Sequence, residues 1–172
     1  PIVVAALRRG MVALAGEIAE GAVFANASRS HMREPLAALP PARLAAADFF
    51  IGNMIPTCIH DDVAAAREVN RRTLSGYVLL PNYRNYWKEA GYVEEMAAIE
   101  KALAAGDRDA IPGLLSERWL ADSSLFGPAD AVRAGVEAWF EAGVRTPILV
   151  PSSAAGNQIK AFEELFELYE KN

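Results

Sequence analysis

The stretch "PIVVAALRRGMVALAGEIAEGAVF", residues 1–24, decides the fold class of this chain. All the side chains of residues 1–6 are apolar, as is typical of a strand buried on both faces of a parallel sheet. Residues 9–20 show helical spacing, and "AVFA" (22–25) is a second apolar run. A strand, a helix and a strand in this order predict a right-handed βαβ unit, and therefore an α/β fold with a parallel sheet.

The first helix is expected to pack through one apolar face. Met11, Leu14, Ala15 and Ile18 share that face at helical spacing. Gly21 is expected to end the helix, because glycine readily takes the left-handed cap conformation.

Two more strands and six more helical segments are predicted further along the chain. The third strand is expected over 49–55, ending near Pro56, and the fourth over 146–151. The helical segments are expected at 61–80, 83–90, 93–105, 107–120, 127–143 and 157–171. In the last two segments, inward stripes are predicted for Val132, Val136, Trp139 and Phe140, and for Ile159, Phe162, Phe166 and Tyr169.

Composition limits the class of protein. The chain has 172 residues, of which 52% are hydrophobic and 23% charged, so we expect one globular domain over residues 1–172. The net charge of −5 offers no basic surface for nucleic acid, and no apolar run is long enough to span a membrane. Cys58 is the single cysteine, which fits a reducing cytoplasm; together with His60 it provides too few ligands for a metal site, so no metal is expected.

Three stretches resemble luciferase-like monooxygenases and their deazaflavin-dependent relatives. Residues 1–24 resemble the region of the fifth strand in that family, and 66–92 resemble the helix after strand seven with its variable insertion. Residues 125–151 resemble the approach to strand eight. The resemblance implies a partial (β/α)8 TIM barrel, the C-terminal half with about four parallel strands and an extra helical insertion.

A half-barrel leaves two sheet edges without a neighbour. Bare parallel edges promote association, so we expect either a homo-oligomer or pairing with the missing N-terminal half. The resemblance implies a part of an oxidoreductase that uses coenzyme F420 (a deazaflavin) or FMN and acts on a small-molecule substrate. The alternative function is a non-catalytic binding or assembly module that kept the half-barrel.

The turn between the first strand and the first helix is the first candidate site. Free backbone N–H groups at such a helix start suit a phosphate. By resemblance, Ala6, Leu7 and Arg8 would contact the cofactor phosphate, although many relatives carry glycines where this chain has Leu7 and Arg8. The alternative is that Arg8 and Arg9 are solvated residues at the barrel rim.

The second candidate site follows the second strand, in "FANASRSHM" (24–32). By resemblance, Asn26, Ala27 and Ser28 would make polar contacts with the cofactor. The alternative is that Ser28 or Ser30 caps a following helix.

A cluster of aromatic residues falls in the predicted insertion. They indicate either a substrate lid or a surface that binds a partner. The simpler interpretation is that they pack the insertion against the barrel. They are Tyr77, Tyr83, Tyr86, Trp87 and Tyr92.

Overall fold

The sheet is parallel throughout, as the βαβ pattern predicts. The computed structural model describes residues 1–170, so the end of the helical segment predicted over 157–171 lies partly outside the described residues. The strands of this part are Val3–Ala5 (β1), Gly21–Ala25 (β2), Phe50–Ile59 (β3), Leu125–Gly127 (β4) and Thr146–Pro151 (β5). β4 was not predicted, because three residues are too few to show a period.

The predicted helical segments are present with shifted ends, and two short helices between β2 and β3 were not predicted. The predicted segment 61–80 divides into a helix and a 3-10 turn at Tyr77–Leu79, and 107–120 divides into two helices. A 3-10 turn at Arg29–His31 also follows β2. The α-helices are Arg9–Ile18 (α1), Arg33–Leu36 (α2), Pro41–Ala45 (α3), Val63–Ser75 (α4), Pro81–Glu89 (α5), Val93–Ala104 (α6), Ile111–Leu114 (α7), Glu117–Ser123 (α8), Ala129–Glu141 (α9) and Gln158–Glu170 (α10).

β3 is the central strand of the sheet. One edge of β3 pairs first with β2 and then, nearer its carboxyl end, with β4. The other edge of β3 pairs with β5, and β1 pairs with β2. All the strands point the same way, so the loops that follow them gather at one end of the sheet, where ligands bind in (β/α)8 enzymes.

Pro56 does not end the third strand, contrary to the sequence-based prediction. Asn26 N donates to Met54 O on the β2 side of β3, whereas Ser152 N donates to Thr57 O on the β5 side. Residues alternate between the two edges in a parallel strand, so Pro56 faces the β2 side. β2 has ended at Ala25, opposite Met54, and β4 begins opposite Thr57. The missing N–H of Pro56 therefore costs no ladder hydrogen bond, and the strand continues to Ile59.

Gly21 does not cap α1. It is the first residue of β2 and lies opposite Phe50 of β3. A Cβ atom at position 21 would lie 2.5 Å from Phe50 Cβ and 2.7 Å from Phe50 O. Glycine is needed here because the two backbones approach closely, not because of a left-handed conformation.

The predicted apolar stripes of the first and last helices are turned away from the core. In α1, Ala15 of the predicted face is buried, together with Val12 and Gly16, whereas Met11, Leu14 and Ile18 are 39% to 61% exposed. In α10 the four predicted residues are 44% to 69% exposed, and Ala161 and Leu168 are buried instead. The prediction was wrong here because helical spacing identifies an apolar face but not the element that covers it. In α9, Val132, Val136 and Trp139 are buried as predicted and Phe140 is exposed.

The insertion between β3 and β4 carries much of the core. Asp62 caps α4 by accepting hydrogen bonds from the amides of Ala64 and Ala65. Tyr86, Trp87 and Trp119 are fully buried, and the rings of the two tryptophans meet edge to face at 4.7 Å. Packing is therefore the main role of the aromatic cluster. Within residues 1–170, none of the helices combines the length and the apolar character required to traverse a bilayer.

Candidate functional site

The turn from β1 into α1 lies at the carboxyl end of the sheet. Ala6 N donates to Val23 O at 2.9 Å, which continues the β1–β2 ladder into the turn. The first backbone amides at the start of α1 that donate a hydrogen bond within the helix are those of Met11 and Val12, and both donate to Arg8 O. The amides of Arg9 and Gly10 therefore stand at the open helix end, where they carry the positive end of the helix dipole.

This turn borders a cleft of about 760 Å³. Residues from the turn, from the loop after β2, from α2 and from the end of α5 surround it. The lining residues are Leu7, Arg8, Arg9, Gly10, Met11, His31, Glu34, Pro35 and Glu89.

A second cavity of about 340 Å³ adjoins the first along the turn. Its wall is formed by side chains of the inner sheet face, including Ala5, Val23, Ala25 and Met54. Ala6, Leu7 and Arg8 form one side of this cavity, and Asn82 and Tyr83 of α5 form another. Arg8 is thus shared by both cavities.

Both arginines of the turn are paired with carboxylates from other elements. Arg8 Nε donates to Glu89 Oε2 at 3.1 Å, and its Nη2 donates to Glu89 Oε1. Arg9 Nη1 donates to Glu34 Oε1 at 2.8 Å. The hydrogen bond to Glu89 raises the pKa of Arg8 above its ordinary value. Their side chains are 50% and 57% exposed, so both arginines lie in solvent at the rim of the sheet while paired with these carboxylates.

The loop after β2 begins with a left-handed residue. Asn26 has φ 54°, a region in which asparagine is tolerated better than most residues. Its amide donates to Met54 O, and the amide of Ala27 donates to Asn53 Oδ1 at 3.4 Å. The amide of Ser28 donates to the hydroxyl of Tyr86 at 2.9 Å. Tyr86 of α5 therefore anchors this loop through a hydrogen bond.

A carboxylate of the insertion holds the next residue of the loop. Asp122 is 8% exposed and accepts three hydrogen bonds. Ser30 donates to it from its amide at 2.9 Å and from its hydroxyl at 2.7 Å, and Tyr92 donates from its hydroxyl at 2.8 Å. Burial, and then the bond to Asp122, raises the pKa of Tyr92, which therefore stays a neutral donor.

Three buried polar atoms near the loop have no hydrogen-bond partner within the described chain. They are Asn26 Nδ2, Ser28 Oγ and Asn53 Nδ2. Ser28 precedes the 3-10 turn, but its hydroxyl does not cap it, and Ser30 Oγ is directed to Asp122. The helix-cap interpretation of these two serines is therefore wrong, and the loop retains unused hydrogen-bonding capacity.

The two groups of predicted site residues have different surroundings. Leu7 and Arg8 line both cavities and Ala6 lines the second one, whereas Asn26, Ala27 and Ser28 are buried below α5 and line neither. His31, at the end of the same loop, does reach the cleft.

Sequence reasoning missed Asn82 and Glu89 as site residues, and it left Tyr83 open between a lid or partner surface and packing. The pKa of Tyr83 is raised by burial and then by the nearby Tyr77, and its ring lies 5.3 Å from that of Trp87. The sequence around these three residues looks like that of any polar helix surface. Only the folding of the insertion brings α5 to the site.

The family profile described as luciferase-like monooxygenase matches residues 1–146. The chain belongs to this family. Its parallel sheet, the insertion after the central strand and the open carboxyl end agree with that membership. No curated protein matches the sequence.

Two solved structures share the fold of this luciferase-like chain. One is the coenzyme F420 dependent tetrahydromethanopterin reductase from Methanopyrus kandleri, with a TM-score of 0.75 and 22% identity over 96% of this chain and 48% of that one. The other is an F420-dependent secondary alcohol dehydrogenase in complex with an F420-acetone adduct, with a TM-score of 0.59 and 13% identity over 99% of this chain and 49% of that one. The chain thus spans about half the length of these structures.

Proposed function

We propose that this chain forms the cofactor-phosphate side of an oxidoreductase that uses coenzyme F420 or FMN. The observation that carries the proposal is the turn of Ala6, Leu7 and Arg8, which opens α1 beside a cleft of about 760 Å³ at the carboxyl end of the sheet. Membership in the luciferase-like family and the two F420-dependent structural neighbours support the kind of chemistry.

The residues of the turn fit a phosphate group. The open amides of Arg9 and Gly10 and the guanidinium of Arg8 are all hydrogen-bond donors, and they surround one end of the cleft. A Cβ atom at Gly10 would meet no heavy atom within 4 Å, so there is room beside the helix start. The cofactor, when bound, supplies the hydride or electron-transfer chemistry.

The residues of this chain then have three tasks. Arg8 and the amides of the turn bind and orient the phosphate. The inner sheet face, with Val23, Ala25 and Met54, provides an apolar wall of the second cavity. Tyr83, kept neutral by its raised pKa, offers a hydroxyl at that cavity for a ring carbonyl or for a small-molecule substrate.

A fluorescence titration tests this function. The purified chain is titrated with coenzyme F420 and, separately, with FMN. Saturable binding of either that is lost in Arg8→Glu supports the phosphate role. The matched control is Arg108→Glu, which makes the same charge change at an exposed position outside the cleft. Binding that is equally insensitive to both substitutions contradicts the role of Arg8.

We also propose that a second half-barrel covers the two open edges of the sheet. Among the described residues, β1 pairs only with β2 and β5 only with β3. The helices beside these edges, α1 and α10, carry the exposed apolar stripes. A second copy of this chain, related by a two-fold axis along the strands, would place β1 beside the partner's β5 and keep the strands parallel.

Sedimentation velocity tests self-association. We expect a dimer at micromolar concentration, weakened by Ile18→Glu in α1 and by Phe166→Glu in α10. Val93→Glu is the control, because Val93 is similarly exposed but lies on α6. A monomer throughout the micromolar range overturns pairing with a second copy and favours closure by the other half-barrel of a longer polypeptide.

The alternative of a non-catalytic binding or assembly module also has an observation in its favour. Arg8 and Arg9 are both neutralised by carboxylates, and Leu7 and Arg8 stand where many relatives carry glycines. Absence of F420 and FMN binding in the assembled dimer would favour this alternative.

A further inference from the structure

The candidate phosphate turn is electrically balanced by its own surroundings. Four charged residues line the cleft, and they form two ion pairs, Arg8 with Glu89 and Arg9 with Glu34. The cleft therefore has no excess positive charge to attract an anion. A phosphate that binds the guanidinium of Arg8 or Arg9 must work against the carboxylate paired with it.

Glu89 is the carboxylate in the better position to compete. It takes two donors of the Arg8 guanidinium at once, Nε and Nη2. This two-point contact is the geometry that arginine uses to bind a carboxylate or a phosphate. Glu89 therefore occupies the face of Arg8 on which a phosphate would form the same pair of hydrogen bonds.

The backbone that carries Glu89 is fixed. It is the last residue of α5, and the preceding turn of that helix contains the buried Tyr86 and Trp87. The hydroxyl of Tyr86 also accepts from the amide of Ser28. The carboxylate itself is exposed, with 42% of the side chain accessible, so it can leave Arg8 without unfolding α5.

The pair of Arg9 and Glu34 differs in position. Arg8 lines both cavities, whereas Arg9 and Glu34 line only the larger one. Arg9 Nη1 also donates to the backbone carbonyl of Glu34 at 3.2 Å, a bond that remains when the carboxylate is removed.

We infer that Glu89 is an internal competitor for Arg8 that sets the anion affinity of the turn and ties it to α5. The inference rests on the proposed phosphate role of the turn. A bound phosphate replaces Glu89 on Arg8, and the released carboxylate no longer joins α5 to the turn. Cofactor binding and the hold of α5 on the cleft are then coupled.

Titration with inorganic phosphate, followed by isothermal calorimetry at constant ionic strength, tests the inference. Glu89→Gln keeps the size of the side chain and removes its charge. We expect it to tighten phosphate binding about two- to fivefold, the range set by an exposed ion pair. Glu34→Gln makes the same change in net charge, and we expect less than a twofold gain because screening weakens charges that do not contact the anion.

The double variant Arg8→Gln/Glu89→Gln completes the design. We expect Glu89→Gln to give no gain in phosphate affinity when position 8 is already glutamine, because the Glu89 carboxylate competes only through Arg8. Circular dichroism confirms that every variant folds.

Two results overturn the inference. Equal gains in Glu89→Gln and Glu34→Gln would show an effect of net charge alone, and no gain in Glu89→Gln would show that the carboxylate does not compete. If the unaltered chain binds phosphate through Arg8 in either case, the proposed function stands without the competitor. If no form binds phosphate, the phosphate role fails, and the inference fails with it.

Discussion

Removal of the Asp122 carboxylate should destabilise the chain strongly. Asp122 of α8 joins the insertion to the loop after β2 by accepting from Ser30 N, Ser30 Oγ and Tyr92 Oη. A hydrogen bond to a charged group contributes roughly 1.5–3 kcal/mol. Three such bonds, discounted for their non-additivity, give about 3–5 kcal/mol for Asp122→Ala.

Asp122→Asn should be much milder. The amide oxygen can still accept from Ser30 N, and the two amide hydrogens can bond to the hydroxyl oxygens of Ser30 and Tyr92, which are able to accept. Only the charge is lost, so we expect a cost of about 1–2 kcal/mol. Asp130→Asn is the control, because the side chain of Asp130 is 92% exposed, and it should change stability by less than about 0.5 kcal/mol.

Urea unfolding followed by tryptophan fluorescence measures these differences, and a thermal melt checks them. For a chain of this size, 3–5 kcal/mol corresponds to a fall in Tm of roughly 6–20 °C. A value for Asp122→Ala within about 1 kcal/mol of the unaltered protein would refute the reasoning. So would an equal cost for the Asn and Ala variants, since the hydrogen bonds that asparagine can keep would then contribute nothing.

Two further predictions concern the sheet and its buried thiol. Gly21→Ala should lower the free energy of unfolding in urea by about 1–3 kcal/mol, because the added Cβ would meet the Phe50 backbone. Gly10→Ala is the control and should not destabilise the chain, because there is open space around Gly10. Equal effects of the two substitutions would contradict the close approach at Gly21. Burial raises the pKa of Cys58 to about 11, so at pH 8 the folded chain should react with a thiol reagent at least about 100-fold more slowly than the unfolded chain. The pKa of Cys58 is higher in the folded chain than in the unfolded chain, so the protonated thiol contributes to the free energy of unfolding. This contribution is complete below about pH 8.5 and is lost as the pH rises through 11. A free energy of unfolding that stays constant over that range, measured with urea, would argue against it.

The candidate site could be predicted in part from the sequence. The turn of Ala6, Leu7 and Arg8 could be proposed because a strand followed at once by a helix is a local pattern; in the structure all three residues line the second cavity, and Leu7 and Arg8 also line the cleft. Glu89 was not found. Its contact with Arg8 joins positions 81 residues apart, and no periodicity links two elements across that distance.

The sequence by itself determined the parallel α/β pattern and the order of its longer strands and helices, because apolar runs and helical spacing are properties of neighbouring residues. It also determined the luciferase-like family. Only the tertiary structure decided which carboxylate meets which arginine, and that Asp122 holds Ser30 across 92 residues. It alone showed that the apolar faces of α1 and α10 are exposed, because burial depends on which elements pack together, and a helical stripe does not contain that information.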